Sequence, residues 1–483
     1  MSFTAIQNYG LLGIAFYAVI LGVMLTLIYE ERDPSTTLAW MLILLLLPGI
    51  GVVVYVLFGR NWRLIARTDR LRIEALRLGD QILAPVYARH AEGMAALERR
   101  DPPLIGRLIT AIRTQGGTQP LPCIDLEIFP SGAEKFERLF RDIESATDHV
   151  NLEYFIWEQD ALTRRFCDLL AEKVAQGVEV RVLYDWVGSI TYGKRQLKAL
   201  RKAGAGVSAD AAKWTKLNYR NHRKIVVIDG RIAYTSGMNM GQEYIDGKPR
   251  YDSWRDTHVR FGGPLVADLQ RLFAIRWLRA TRENLFVERY FPMLDDEIAT
   301  NAVWAQVANS GPESSWAAVR NAFLIAIASA EKRVQIQSPY FIPDEGIEDA
   351  LVAQSLAGVE TRLMMTGVPD KRIPWWAAFT YIDDFVRGGG RVFQYQAGFF
   401  HPKTMTIDGL VAVIGTTNFD IRSFELHDEL SIFFYDEGVA SSQDAIFEED
   451  LASSAEYTLD DARGVRRLQR LRNALARLSS RVL

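Results

Sequence analysis

Hydrophobic residues are distributed along this chain in three distinct ways. Tyr9 to Tyr29 and Leu38 to Phe58 carry no charge and run 21 residues each, close to the ~20 that a helix needs to cross a ~30 Å hydrocarbon core. The link between them, Glu30 to Thr37, is short and acidic, so the pair predicts a transmembrane hairpin with both ends on one side and a kink at Pro48-Gly49. From about Leu121 the pattern changes to short β-branched runs alternating with amphipathic helical stretches, and it does so twice. Val150 to Ile156 answers Val334 to Ile342, and Gly177 to Tyr184 answers Gly358 to Met365. Helical periodicity over Glu134–Ser145, Leu162–Gln176, Trp316–Ala330 and Gly346–Leu356 completes two α/β halves, with largely parallel strands expected. The third pattern is a leucine stripe at the C-terminus, Leu468, Leu471, Leu475, Leu478 and Val482, among Arg463, Arg466, Arg467, Arg470, Arg472, Arg477 and Arg481. It predicts an amphipathic helix that lies on a membrane or packs on the body. The organisation read from these patterns is a hairpin over 1–59, a basic helical linker over 60–120, halves over 121–290 and 291–460, and a terminal helix over 461–483. Weak periodicity over Asn284 to Glu313 marks the join between the halves.

Charge adds an orientation. Arg60, Arg63, Arg67, Arg70, Arg72 and Arg77 follow the second apolar run, against only Asp69 and Glu74. That bias puts everything beyond the hairpin on the cytoplasmic side of the membrane. Residues 1–8 contain no lysine or arginine, which counts against a cleaved leader. Residues 60–83 read equally well as a helix on an anionic leaflet and as a solvated helix. The net charge of -3 over 483 residues argues against a general polyanion binder, so no nucleic-acid partner is expected. Cys123 and Cys167, the only two cysteines, make neither a disulfide framework nor a zinc pattern.

The chemistry lies in one pattern that occurs twice. His222-Arg-Lys224 is followed by Asp229 and, seventeen residues after the histidine, by Asn239. His401-Pro-Lys403 is followed by Asp408 and, at the same spacing, by Asn418. In each case an apolar strand, Ile225–Ile228 or Thr404–Ile407, separates lysine from aspartate. Residues two apart on a strand share a face, so each His and Lys can reach one phosphate. A single His-x-Lys is common by accident; two sets with identical spacing are not.

The duplicated His-x-Lys-x4-Asp resembles the signature of the phospholipase D superfamily. Tyr251 to His258, Phe399 to Gly409, Gly415 to Phe424 and the Trp40 to Gly59 run are similar to its bacterial cardiolipin synthase branch. The resemblance implies two phospholipase D-like α/β halves related by a pseudo-twofold, with one catalytic site between them. It implies that one histidine attacks phosphorus while the other moves the proton of the alcohol. His222 is the nucleophile by family precedent; nothing in the residues breaks the symmetry. Lys224 and Lys403 would offset phosphate charge. Asn239 and Asn418, with Ser236 and Thr416, would bind its oxygens, and Asp229 and Asp408 would support the structure. Asp256 would orient His401 and Glu429 would orient His222. One departure stands out: Leu426-His427-Asp428-Glu429 has His427 where the branch has Asn, and Asp428 competes with Glu429 for the orienting role.

The implied reaction is phosphatidyl transfer between two phosphatidylglycerol molecules of an anionic membrane, giving cardiolipin and glycerol. No cofactor and no metal are expected, because two lysines fill the electrostatic role of a metal and the six histidines suggest no ligand cluster with carboxylates. Trp375, Trp376, Phe379, Tyr381, Phe399 and Phe400 are candidates for an apolar entrance or for core. The same chemistry with water or another alcohol as acceptor is the alternative. A nuclease is disfavoured by the apolar hairpin, and an inactive scaffold by the intact motifs. Oligomeric state is not legible.

Overall fold

The structure, a computed structural model, describes residues 3–30, 34–59, 67–100, 102–189, 194–210, 219–294, 302–478 and 480. The doubled sequence pattern becomes a doubled sheet. The first half contributes β1 (Leu121–Phe129), β2 (His149–Tyr154), β3 (Glu179–Asp185), β4 (Gly206–Asp210), β5 (Ile225–Ile228), β6 (Ile232–Ser236) and β7 (His258–Gly262). The second contributes β8 (Val303–Ser310), β9 (Arg333–Gln337), β10 (Glu360–Thr366), β11 (Arg391–Tyr395), β12 (Thr404–Ile407), β13 (Val411–Gly415), β14 (His427–Phe434) and β15 (Ser454–Tyr457). Their order across the sheet is β15-β11-β10-β9-β12-β13-β14-β8-β1-β7-β6-β5-β2-β3-β4. Read outward from the β8–β1 junction, the two halves repeat strand for strand, and β15 is an added edge.

The expectation of largely parallel strands is corrected. Among these fifteen strands in the described residues, only β2–β3–β4 and β9–β10–β11 pair in parallel with one another. The motif strands β5 and β12 pair antiparallel on both sides. The reason is local: Asp229-Gly230 and Asp408-Gly409 follow these strands with positive φ at both residues (53° and 65°, 55° and 70°). That is the signature of a type I′ turn, which folds the chain straight back into a hairpin. A second correction concerns the join. Val303–Ser310 is not slack linker but the central strand β8, pairing β1 on one side and β14 on the other. Its pattern is weak because both faces are buried and Gln306 is satisfied inside, bonding Thr118 and Tyr435.

The two motif aspartates lie at the far end of their strands from the histidines, roughly 16 Å from the lysines at ~3.3 Å per residue. Each closes a loop. Asp229 accepts from the backbone N–H groups of Thr147, Asp148 and His149 at 2.8 Å, and Asp408 does the same for Glu331, Lys332 and Arg333. Burial alone would raise the Asp229 carboxyl, but these donors outweigh it and hold the group below its ordinary value. Asp229→Ala should therefore lower unfolding free energy by about 2–4 kcal/mol, losing the cap and forcing alanine to a positive φ. Chemical denaturation checks this; an unchanged midpoint would contradict it.

At the N-terminus a helix spans Phe3–Tyr29 and a second covers Pro34–Leu46. The chain breaks at Leu47 and restarts as Pro48–Val54, with proline at the first turn, where its missing N–H costs nothing. Ile20, Leu27, Leu44 and Tyr55 form the buried seam between the segments, while the outward face leaves Ile14 at 70% and Leu46 at 75% exposure. Among the described residues no helix is long and apolar enough to cross a membrane. Residues 60–66 of the arginine-rich stretch lie outside the described set. The helix that follows, Arg70–Arg89, packs on the body, which neither reading of this segment anticipated. It buries Ala75, Leu83, Val86 and Tyr87 against the Val266–Thr281 helix, with Tyr87 bonding Asp268 at 2.6 Å.

The C-terminal helix Arg467–Arg477 buries Asn473 and Ala476. Arg472 lies over Trp376 and Arg477 over Tyr381 of the Arg372–Arg387 helix. Its leucines face away from the body: Leu468 is 81% and Leu478 83% exposed. Arg481 and Val482 lie outside the described residues.

Candidate active site

Two small ladders stitch the halves together and set the geometry of the site. Arg220–Asn221 pairs in parallel with His427–Asp428, and Trp254–Arg255 pairs in parallel with Phe399–Phe400. One residue further along each ladder, a histidine meets a carboxylate. His222 Nδ1 lies 2.9 and 3.1 Å from the two oxygens of Glu429 and 3.1 Å from the Thr416 carbonyl. His401 Nδ1 lies 2.7 Å from Asp256. Each histidine is thus held by the half to which it does not belong. The backbone tightens the match, with His222 N donating to Asp428 O at 2.9 Å and His401 N to Arg255 O at 2.7 Å.

The acids are structural equivalents despite different spacings in sequence. Ser236 on β6 faces His258 on β7, and Gly415 on β13 faces Ser431 on β14. Ser236 and Gly415 both lie fourteen residues after their histidines, and Asp256 and Glu429 both lie two residues before those partners. The competition between Asp428 and Glu429 is settled by alternation. Asp428 points to the opposite face, where it pairs with Arg276 and lies 3.5 Å from Arg223; Glu429 takes His222.

Lys224 Nζ donates to the carbonyl of His222 at 2.7 Å, and Lys403 likewise to that of His401. Both ammonium groups keep N–H bonds for an anion. Burial, then Lys224, Lys403 and His401, pushes the His222 imidazole well below its ordinary range. Burial and Lys403 lower His401 to about 4 against the opposing pull of Asp256. Burial brings Lys224 to about 7 and Lys403 to about 8, with Glu429 and Asp256 the leading counterweights. The site is therefore a buried cluster of two neutral rings and two lysines, built to gain from a negative charge.

The other predicted ligands are differently engaged. Ser236 Oγ donates across the interface to Gly415 O at 2.9 Å. Thr416 Oγ1 donates to Glu429 and accepts from Leu430 N at 3.0 Å. These hydroxyls position the acid and the junction rather than facing the site. Asn239 bridges Ile156 N and Tyr244 OH, both at 3.1 Å. Asn418 is buried beside Asp420, and its Oδ1 has no partner among the described residues.

The expectation that no histidine cluster meets a carboxylate is corrected: His222, His427 and Glu429 bring ligand-capable atoms within 4.8 Å of one another. Of the six aromatic candidates, Phe399 adjoins the site, 5.6 Å from the His401 ring. Phe400 stacks on Tyr395 instead, Trp375, Phe379 and Tyr381 belong with the core, and Trp376 carries Arg472.

Three neighbours were not foreseen from the sequence. Phe155 packs 5.0 Å from the His222 ring and Trp254 6.1 Å from that of His401. Arg255 makes a two-pronged pair with Asp450, 2.9 and 2.8 Å, while donating to the Asp256 carbonyl at 2.6 Å. The signal for Arg255 was present in its place beside the acid. Reading it required knowing that Asp450, 195 residues away, lies beneath.

Comparison with known proteins agrees with this geometry. The family profile described as "Cardiolipin synthase, PLD-like domain" matches residues 139–252 and 323–451, and the one described as "Phospholipase_D-nuclease N-terminal" matches residues 13–60. The chain is 35% identical to the major cardiolipin synthase ClsA of Bacillus subtilis (strain 168), over 98% of this chain and 99% of that one. It is 36% identical to a cardiolipin synthase of Oceanobacillus iheyensis over the same shares. Among solved structures, phosphatidylserine synthase of Haemophilus influenzae Rd KW20 superposes with a TM-score of 0.61 at 14% identity, over 78% of this chain and all of that one. That likeness shows the fold.

Proposed function

From the premise that this chain belongs to the cardiolipin synthases, phosphatidyltransferases of the phospholipase D superfamily, we propose that it moves a phosphatidyl group between two phosphatidylglycerol molecules through a phosphohistidine. A carboxylate at each Nδ1 fixes the proton there and leaves Nε2 with its lone pair toward the site. His222 Nε2 attacks phosphorus, the P–O bond to glycerol breaks, and His401 supplies the proton that the departing alkoxide takes. The terminal hydroxyl of a second phosphatidylglycerol then gives its proton to His401 and attacks. The P–N bond breaks and cardiolipin leaves. One phosphodiester replaces another, so no nucleotide is needed. Lys224 and Lys403 hold the nonbridging oxygens throughout. The bound phosphodiester carries the negative charge that lets one imidazole, otherwise neutral, hold a proton. The observation that carries this reading is the crossed pairing of His222 with Glu429 and His401 with Asp256.

Purified protein in phosphatidylglycerol vesicles should release glycerol and cardiolipin in equal amounts, followed by mass spectrometry. Phosphatidic acid without cardiolipin would replace this reading with hydrolysis. The pH profile gives a second check. A lysine with a lowered pKa loses its charge as pH rises through that value, so kcat/KM should fall above pH about 7–8, where Lys224 and Lys403 deprotonate. On the acid side the loss comes where the His222 nucleophile takes a proton, which burial and the neighbouring cations place well below the ordinary imidazole range, so no fall is expected between pH 7 and 6. A flat profile between pH 7 and 10 would contradict the electrostatic role.

We place the apolar hairpin in the bacterial inner membrane, with the body at its cytoplasmic face. The exposed leucines and arginines of the C-terminal helix would lie on anionic lipid beside it. Leu468→Asp with Leu475→Asp should reduce flotation of the protein with anionic vesicles. Unchanged flotation would confine membrane contact to the hairpin.

A further inference from the structure

The pseudo-twofold makes Arg220 the counterpart of Phe399 and His427 the counterpart of Trp254, because each pair occupies the first rung of its ladder. The two sides of the site differ sharply at these positions. Beside His401, Phe399 and Trp254 pack at a tilt with ring centroids 4.5 Å apart, an apolar wall. Beside His222 the same positions hold a guanidinium and an imidazole. Alternation puts Arg220 and His222 on one face of their strand and His427 and Glu429 on the matching face of the other. The His222 and His427 rings accordingly lie 5.7 Å apart.

This polar side has hydrogen-bonding capacity that the protein leaves unused. Among the described residues, Arg220 Nη1 and His427 Nε2 are buried without a hydrogen-bond partner, and His427 Nδ1 has only Glu429 at 3.7 Å. Arg422 adds a second guanidinium, close enough to act electrostatically on both Arg220 and His427. The carboxylate beside Arg220 is Asp185, whose oxygens already accept from the N–H groups of Val187, Gly188 and Asn221. Glu429, the acid beside His427, is held by His222 and Thr416. A buried guanidinium with an unfilled donor beside a second guanidinium gains from an anion that joins them.

We propose that Arg220, His427 and Arg422 form a second anion subsite, which takes the phosphate of the acceptor lipid while its terminal hydroxyl reacts beside His222. This rests on the phosphatidyl-transfer reading above. The spacing fits: residues two apart on a strand lie ~6.6 Å apart, and in the product two phosphates are joined by one three-carbon bridge. The subsite gives the acceptor a recognised charge that water and free glycerol lack, and so directs the phosphatidyl-enzyme toward transfer.

The test separates two reactions of the full-length protein. Cardiolipin formation needs an acceptor with its own phosphate. Exchange of labelled glycerol into phosphatidylglycerol passes through the same phosphohistidine with an acceptor that has none. Arg220→Gln should cut cardiolipin formation roughly 10- to 100-fold, the worth of a charge-assisted hydrogen bond, while glycerol exchange stays near wild type. Arg220→Lys should keep an intermediate level, and it carries the test if the glutamine variant does not fold. With soluble acceptors, wild type should favour glycerol 3-phosphate over glycerol, and Arg220→Gln should lose that preference. Equal loss of both reactions, or unimpaired cardiolipin formation, would overturn the subsite. Absence of cardiolipin from the wild type, with exchange or hydrolysis intact, would instead refute the parent reading.

Discussion

Replacing either His222 or His401 by alanine should reduce cardiolipin formation by roughly 10⁴-fold, and replacing both should cost little more. The non-additivity is the sharper part of this result. One ring makes the covalent bond and the other moves the proton of the same alcohol, so removing either stops the cycle that both serve. The two should still fail differently. Without the nucleophile no phosphoenzyme forms at all. Without the proton donor, a substrate with a better leaving group than glycerol should still phosphatidylate the remaining histidine and leave it trapped, visible as lipid-linked phosphorus on the protein. Both variants should fold, because each ring lies at the rim of the core and contributes one side-chain hydrogen-bonding group. Steady turnover above a tenth of wild type in either variant would remove the two-histidine mechanism.

Glu429→Gln and Asp256→Asn should each lower kcat by roughly 10²- to 10⁴-fold with little change in KM, since neither carboxylate touches substrate. An amide keeps the size but can present an N–H to Nδ1, which moves the imidazole proton to Nε2 and blocks the lone pair that must face phosphorus. At Glu429 the substitution also puts an amide beside the Thr416 hydroxyl that now donates to the carboxylate. At Asp256 the fit is tight: a Cβ added to Gly237 would fall 2.2 Å from a carboxylate oxygen. Gly237→Ala should therefore resemble Asp256→Asn in rate while leaving the acid in place. Pre-steady-state measurement of phosphoenzyme formation separates the two acids, because Glu429 serves the nucleophile and Asp256 the proton shuttle. If either amide variant stays within tenfold of wild type, that carboxylate is a packing group.

By itself the sequence determined the doubled α/β body and the paired set His222, Lys224, His401 and Lys403, and it offered Asp256 for one histidine and either Glu429 or Asp428 for the other. Those rest on local periodicity and on a repeated spacing, which one chain records without reference to its partners in space. It also carried the apolar hairpin and the terminal leucine stripe. Strand direction was misread because an Asp-Gly turn at positive φ, rather than the βαβ rhythm, governs the motif hairpins. Strand β8 was passed over because a strand buried on both faces has no alternation to see. Only the tertiary structure decided that Glu429 and not Asp428 faces His222, since neighbours in a strand point to opposite sides and the register comes from a ladder with Arg220–Asn221, some 207 residues away. It alone turned Ser236 and Thr416 from expected ligands into groups that fix the junction, and it alone set Arg220 and His427 opposite Phe399 and Trp254. Contacts across a pseudo-twofold join residues far apart in the chain, and no local pattern encodes which of them will meet.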